Sequence, residues 1–306
     1  TARYSGRLTL QETVDGTGAF VEQVDTGRFL FDGGADGAEV TSISYAFGAR
    51  VNDPDIAQDV APQPDPGFTT IPLTSEGKAI TVEAAAGNPL LLVGTRAGDG
   101  KVVFEIEVLD PATGAYEFRL KAPLDHPDAG ESGSQDPLRL KVNFTVTDGD
   151  GDTATSSIQL DVLDDAPTAV GDDAVIGADR SSAGNLLAND DQGADGATLT
   201  GVSFDGTTFV AITSGAPAGD AYQFSVAGVG VYTFKANGDW TFSAAPNFNG
   251  IANFSYVITD YDGDDSAPAA VAIDAQPVQV WDGSTLVGTY GSIQAANDAG
   301  STLAGM

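Results

Sequence analysis

The 306-residue sequence contains no cysteine, one histidine (His126) and one methionine, which is its last residue. Without cysteine there is no disulfide framework, no thiolate zinc or iron–sulfur centre and no cysteine nucleophile, and one histidine cannot build a histidine metal triad. Cationic side chains are scarce as well: 13 Lys and Arg stand against 44 Asp and Glu, a formal charge of −31. Such a chain repels nucleic-acid phosphates and anionic lipid headgroups, both of which are held by clustered Lys and Arg. No run approaches the roughly 18 apolar residues of a membrane span, so neither nucleic acid nor membrane insertion is expected. Thr1 follows neither a signal peptide nor an initiator methionine, and the chain reads as a mature product or a piece of something longer. What is present suffices to fold. Hydrophobic residues make up 42%, enough for a core, and the length suggests two domains plus a fragment.

The acid is unevenly placed. All nine glutamates fall between Glu12 and Glu131, and from residue 142 onward 22 Asp face Arg180 and Lys235 alone. Aspartate gathers in glycine-rich punctuation: Asp148-Gly-Asp150-Gly-Asp152, Asp164-Asp165, Asp172-Asp173, Asn189-Asp190-Asp191 and Asp260-Tyr-Asp262-Gly-Asp264-Asp265. An isolated Asp-Gly pair is an ordinary turn former. Two loops with Asp at every second position are different, because three carboxylates that close repel one another unless a cation sits between them. Short carboxylates on tight turns suit a hard, oxygen-seeking ion such as Ca2+. An EF-hand is excluded for the first loop, whose sixth position is Thr153 rather than Gly and whose twelfth is Gln159 rather than Glu.

Short runs of alternating apolar and polar residues, bounded by Gly, Asp, Asn and Pro, predict an all-β chain of serial sandwiches. Val102 to Val108, Tyr116 to Leu120, Leu138 to Val142, Ser157 to Val162 and Gly230 to Phe234 are the clearest. One internal repeat stands out: Phe144-Thr-Val146-Thr-Asp148-Gly-Asp150-Gly-Asp152 matches Tyr256-Val-Ile258-Thr-Asp260-Tyr-Asp262-Gly-Asp264, offset by 112 residues. Each copy is followed by a β-type segment and a proline exit, Pro167 or Pro277. Domains are therefore expected over residues 1–166 and 167–276. Residues 277–306, too few for an independent core, read as the start of a further domain or a docking tail.

Residues 7 to 167 resemble the large repeat domain of type I secreted adhesins of the RTX class. The resemblance is carried by Leu8-Thr-Leu-Gln-Glu-Thr13, Ala112-Thr-Gly-Ala-Tyr116, Leu124-Asp-His-Pro127, Val146-Thr-Asp-Gly-Asp-Gly-Asp-Thr-Ala154 and Asp164-Asp-Ala-Pro-Thr-Ala169. Residues 168 to 276 resemble the cadherin-like or VCBS-type tandem repeats of the same proteins through Asn185-Leu-Leu-Ala-Asn-Asp190, Gly238-Asp-Trp-Thr-Phe242, Pro246-Asn-Phe-Asn-Gly250 and Phe254-Ser-Tyr-Val-Ile-Thr-Asp260. These families imply secretion, display at the bacterial cell surface, calcium-stabilised Ig-like or cadherin-like β-sandwiches in series, adhesion and biofilm formation. The glycine-rich nonapeptide repeats of RTX proteins are missing, which implies an extender or ligand-binding region. The tail Gly288-Thr-Tyr-Gly-Ser-Ile-Gln-Ala-Ala296 looks like the entry turn of a parallel β-helix or another repeat.

Strand counting places the Asp260–Asp265 loop, the Asn189–Asp191 loop and the Asp164-Asp165 linker at one interdomain junction, and puts Asp148, Asp150 and Asp152 at the opposite end of the first domain. At the junction the expected Ca2+ ligands are Asp165, Asp190, Asp260, Asp262 and Asp264, joined by Asp164 and Asp191, with the ion stiffening the pair into a rod, and at the other end Asp148, Asp150 and Asp152 are expected to bind a cation as well. His126 reads as a turn or strand-edge residue rather than a catalytic base. The aspartates read as lying in solvated loops, which argues against the raised pKa of a glycosidase acid. Trp240, Phe242, Phe248, Phe254 and Tyr256 read as core rather than a sugar platform, and Trp281 as a contact residue outside both cores.

No enzymatic activity is expected. The preferred reading is an extender or presenting region of a secreted adhesin. Its partners would be neighbouring domains, identical subunits, or a surface glycan or protein ligand. The alternatives are a subunit of an extracellular filament or sheath joined by strand addition, and, weakest, a fragment of a polysaccharide-degrading enzyme.

Overall fold

The computed structural model describes residues 2–3, 7–51, 68–126, 137–177, 179–275, 278–282 and 285–290. Pro127, Pro277 and residues 291–306 lie outside them, as does the side chain of Trp281. Among the described residues there is no α-helix, only the 3-10 turns Leu186–Ala188 and Ile212–Ser214. The chain divides into two compact units. The first comprises residues 1–166 with 193–196 and 260–264; the second comprises 167–192, 197–259 and 265–306.

The first unit is a two-sheet sandwich. One sheet runs Gln23–Arg28, Ala115–Leu120, Val102–Asp110, Asn88–Arg96, Lys78–Ala85, Thr74–Ser75 in spatial order; the other runs Arg7–Gln11, Thr153–Leu163, Pro137–Asp148, Ala38–Val51, Phe68–Ile71. Alternation drives the packing: Tyr116, Phe118 and Leu120 turn inward while Glu117 and Arg119 stay at the wet face. Leu138, Leu140, Val142, Phe144 and Val146 supply the opposing layer, and Phe29 bridges the two with its ring 4.6 Å from both Tyr116 and Phe144. The wet face of that second sheet is interrupted by Arg139, which is buried and forks onto Asp161 at 2.6 and 3.2 Å.

The second unit repeats the plan. Asp172–Val175, Ala269–Asp274, Ile251–Asp260, Ala197–Ser203 and Val210–Ala211 form one sheet; Ser181–Asn185, Asp239–Ala244, Gly230–Phe234, Ala221–Val226 and Ala216–Ala218 form the other. Its core is the expected aromatic set, Trp240, Phe242, Phe254 and Tyr256, together with Tyr232 and Phe234, and Phe248 packs at the margin. In both units the first long strand lies beside the last and parallel to it: Arg7–Gln11 along Thr153–Leu163, and Asp172–Val175 along Ala269–Asp274. Hairpins and crossovers such as Val102–Asp110 with Ala115–Leu120 and Ile251–Asp260 with Ala269–Asp274 pair antiparallel, the serial Ig-like arrangement that the alternating runs predict. A separate hairpin, Val278–Asp282 with Thr285–Tyr290, follows.

Asn185 shows how one polar side chain sets a local turn. Its Oδ1 accepts the Leu187 amide at 2.9 Å, and its Nδ2 donates to the Asn237 carbonyl and to Asp239. Leu186 and Leu187 are thereby delivered into the core. Asn185→Ala is expected to cost about 1–2 kcal/mol, as for loss of a helix N-cap, read as a lower urea midpoint with an unchanged m-value.

Candidate metal centre

The two aspartate loops share a backbone solution. In the first, the Asp152 amide donates to Asp148 Oδ1 at 2.8 Å and the Asp148 amide to the Asp152 carbonyl at 3.0 Å. In the second, the Asp264 amide donates to Asp260 Oδ1 at 2.7 Å and the Asp260 amide to the Asp264 carbonyl at 3.1 Å. Gly151 and Gly263 take φ of +96° and +115°, which a side chain would strain. The sequence repeat is thus a repeat of turn geometry.

The surroundings of the two loops differ. Asp148, Asp150 and Asp152 bring one oxygen each within 4.8 Å of the others, but at the surface. There, one shared hydrogen bond raises the Asp150 carboxyl and lowers that of Asp148. Asp164, Asp260 and Asp262 form a second such triad, and this one is sunk into the first unit. Asp164 is 2% exposed, Asp260 7% and Asp264 5%. Expecting these aspartates in solvated loops was wrong: the turn folds inward, so the carboxylates lose water. Burial, reinforced by Asp264 and by the charge of Asp260, pushes Asp164 up to about 9. Burial, with the charge of Asp164, pushes Asp262 up to about 10.

Donors are few at this centre. The Asp165 amide reaches Asp164 Oδ1 at 2.8 Å, the Gly263 amide reaches Asp260 Oδ1 at 3.0 Å and the His126 amide reaches Asp262 Oδ2 at 2.7 Å. Among the described residues, no N–H or O–H donor reaches the buried Asp164 Oδ2, Asp260 Oδ2 or Asp262 Oδ1. Buried anionic oxygens of this kind demand a proton or a cation.

Three further residues belong to the centre and were not assigned from sequence. Asp195 lies in the 193–196 segment of the same unit; burial, then the charge of Asp260, pushes it up to about 7. Its only sequence signal is an isolated Asp-Gly pair. Glu12 is 1% exposed, accepts the Leu124 amide at 2.8 Å and is raised well above the carboxylate range by burial. His126 is not at a strand edge or an open turn: it is 3% exposed, with Nδ1 3.6 Å from Asp164 and 3.8 Å from Asp262.

The other expected ligands are placed elsewhere. Asp165 contributes its backbone amide to Asp164, and no grouping of metal-ligating atoms among the described residues includes its carboxylate. Asp190 and Asp191 belong to the second unit. The Asp190 carboxylate accepts the Val170 amide at 2.7 Å and faces Tyr256 Oη at 2.9 Å, while Asp191 pairs its backbone with Thr168. Burial raises Asp190, and burial plus the Asp190 charge raises neighbouring Asp172 to about 6. One phenol among two carboxylates ties this loop to the core.

Comparison with known proteins follows the same division. No match is found among curated proteins. Among solved structures, the bradyzoite specific antigen BSR4 of Toxoplasma gondii aligns at 11% identity over 90% of each chain with a TM-score of 0.32. The N-terminal four Ig domains of Dscam1 align at 11% identity and a TM-score of 0.22, over 89% of this chain, which spans only 52% of theirs. The titin fragment I67-I69 aligns at 9% identity and a TM-score of 0.24, over 90% of this chain and 64% of its own. Likenesses this faint add nothing to the fold described above. The family profiles are sharper. Residues 164–274 match a bacterial Ig domain, a module class that is typically structural rather than enzymatic. Residues 7–161, half of the chain, match the family described as a domain of unknown function (DUF5801), and the chain belongs to that family.

Proposed function

We propose that this chain is a non-enzymatic, calcium-stabilised extender or presenting region of a secreted bacterial surface adhesin. The observation that carries the reading is the buried triad Asp164, Asp260 and Asp262, whose orphaned oxygens have no Lys or Arg paired to them among the described residues. Their chemistry fits Ca2+, which takes six to eight oxygens and tolerates irregular geometry. Asp164, Asp260, Asp262 and Asp264 would hold the ion, with Asp195 completing the charge. Bound there, it would supply the counter-charge that lets segments distant in sequence pack into one core. A bacterial Ig domain following the DUF5801 domain, and the resemblance of both to adhesin repeats, support placement outside the cell in a longer, serial array.

Calorimetric titration tests the assignment. Wild-type protein is expected to bind Ca2+ saturably, and Asp260→Asn to weaken that binding about tenfold or more, which is about 1.4 kcal/mol or more. Equal affinity in the two proteins would remove the buried triad from consideration.

A further inference from the structure

We propose that Glu12, His126 and Asp164 form a second divalent-cation position in the first unit, one that takes a borderline ion such as Zn2+ and shares Asp164 with the carboxylate centre. One ligand atom from each of the three lies within 4.8 Å of the others, and all three residues are buried. Asp164 Oδ1 lies 3.6 Å from His126 Nδ1, and the other oxygen, Oδ2, is buried with no donor to it among the described residues.

The imidazole sets the chemistry. His126 Nε2 lies 3.2 Å from the Val162 carbonyl. A carbonyl only accepts, so Nε2 carries the hydrogen, and in the neutral ring, the form that binds a metal, Nδ1 turns its lone pair toward Asp164 and Asp262. Metal-binding histidines are held in this way, the far nitrogen donating to a backbone carbonyl and the near one ligating. Glu12 is fixed too, by the Leu124 amide on Oε1. Two carboxylates and one neutral imidazole balance an ion of charge +2, and Asp262 lies 3.8 Å from Nδ1.

Calcium seldom takes nitrogen, whereas zinc, cobalt and nickel favour it, so this position and the all-oxygen triad would sort ions by type. Charge favours a second ion as well. Glu12, Asp164, Asp195, Asp260, Asp262 and Asp264 are six carboxylates in one unit, and a single Ca2+ neutralises two charges.

Because the chain has one histidine and no cysteine, the test is clean on a protein without a polyhistidine tag. In saturating Ca2+, wild type is expected to bind one equivalent of Zn2+, with the ring resonances of its single histidine shifting as zinc is added. His126→Gln is expected to weaken zinc binding by at least tenfold while keeping its calcium-dependent melting shift, which also shows that the variant folds. Added Co2+ should give wild type a visible absorption band and move the same ring signals, a readout that needs no variant. Unmoved ring signals would overturn the proposal and leave His126 a buried cationic partner of Asp164. Release of one Ca2+ for each Zn2+ bound would overturn it equally. A separate Ca2+ titration without zinc reports on the carboxylate triad alone, so the two readings fail independently.

Discussion

Melting the protein in excess Ca2+ and again in chelator is expected to separate the two curves widely. An ion that binds the folded state alone, at about a hundred times its dissociation constant, adds about 2.7 kcal/mol. A domain of about 150–250 residues shifts by about 2–4 °C per kcal/mol, so one ion in the first unit should raise its transition by about 5–10 °C. Mg2+ at the same concentration should do much less, because it gives up its water reluctantly and demands a tighter octahedron than the Asp260–Asp264 turn offers. The physical reason for so large an effect is the alternative: without a cation, Asp164, Asp260 and Asp262 must be protonated or stay charged in a site nearly stripped of water. Superimposable curves would mean that protons alone satisfy these oxygens.

The pH dependence in chelator should run opposite to that of most acidic proteins. Asp164 and Asp262 are held at about 9 and about 10 in the folded unit, against about 3.9 for a free aspartate. The folded state therefore holds more protons than the unfolded state between those values, and stability falls as pH rises. The contribution is complete below about pH 4 and is lost as pH climbs through about 9–10. Each proton held by the folded state alone adds to this slope, so moving from about pH 8 to about pH 5 should stabilise the protein in chelator. In Ca2+ the ion replaces those protons, and the slope should flatten. The calcium-induced gain in melting temperature should therefore grow with pH; a gain of equal size at both pH values would show that the buried carboxylates do not exchange protons for the ion.

Much of the molecule was legible in the sequence because one rule, alternation, operates strand by strand. Tyr116, Phe118 and Leu120 announce an inward face whatever else surrounds them, and so do Tyr232 and Phe234. The Asp148 and Asp260 loops were legible for a similar reason, since a tight turn with glycine at positive φ is a local object and the same residues build it twice. Burial of those loops is not local. Nothing in the residues around Asp260 says that this turn is covered while the Asp148 turn stays at the surface. Glu12, His126 and Asp195 follow the same logic: the role of each comes from chain that folds over it from tens of residues away, as Asp164 does for His126 and Leu124 for Glu12. Asp190 shows the converse. An Asn-Asp-Asp cluster suggests an ion, yet a tyrosine hydroxyl and a backbone amide occupy its carboxylate.

The parallel pairing of first and last strands has a mechanical consequence. Arg7–Gln11 and Thr153–Leu163 run in the same direction, in register from Arg7 opposite Gln159 to Gln11 opposite Leu163. Tension applied to the entering and leaving ends of this unit pulls those two strands in opposite senses along their length. The load then falls on all of the interstrand hydrogen bonds together, in shear, rather than opening them one after another as in a hairpin. Asp172–Val175 and Ala269–Asp274 give the second unit the same clamp. Each unit thus resists stretching where the chain enters and leaves it.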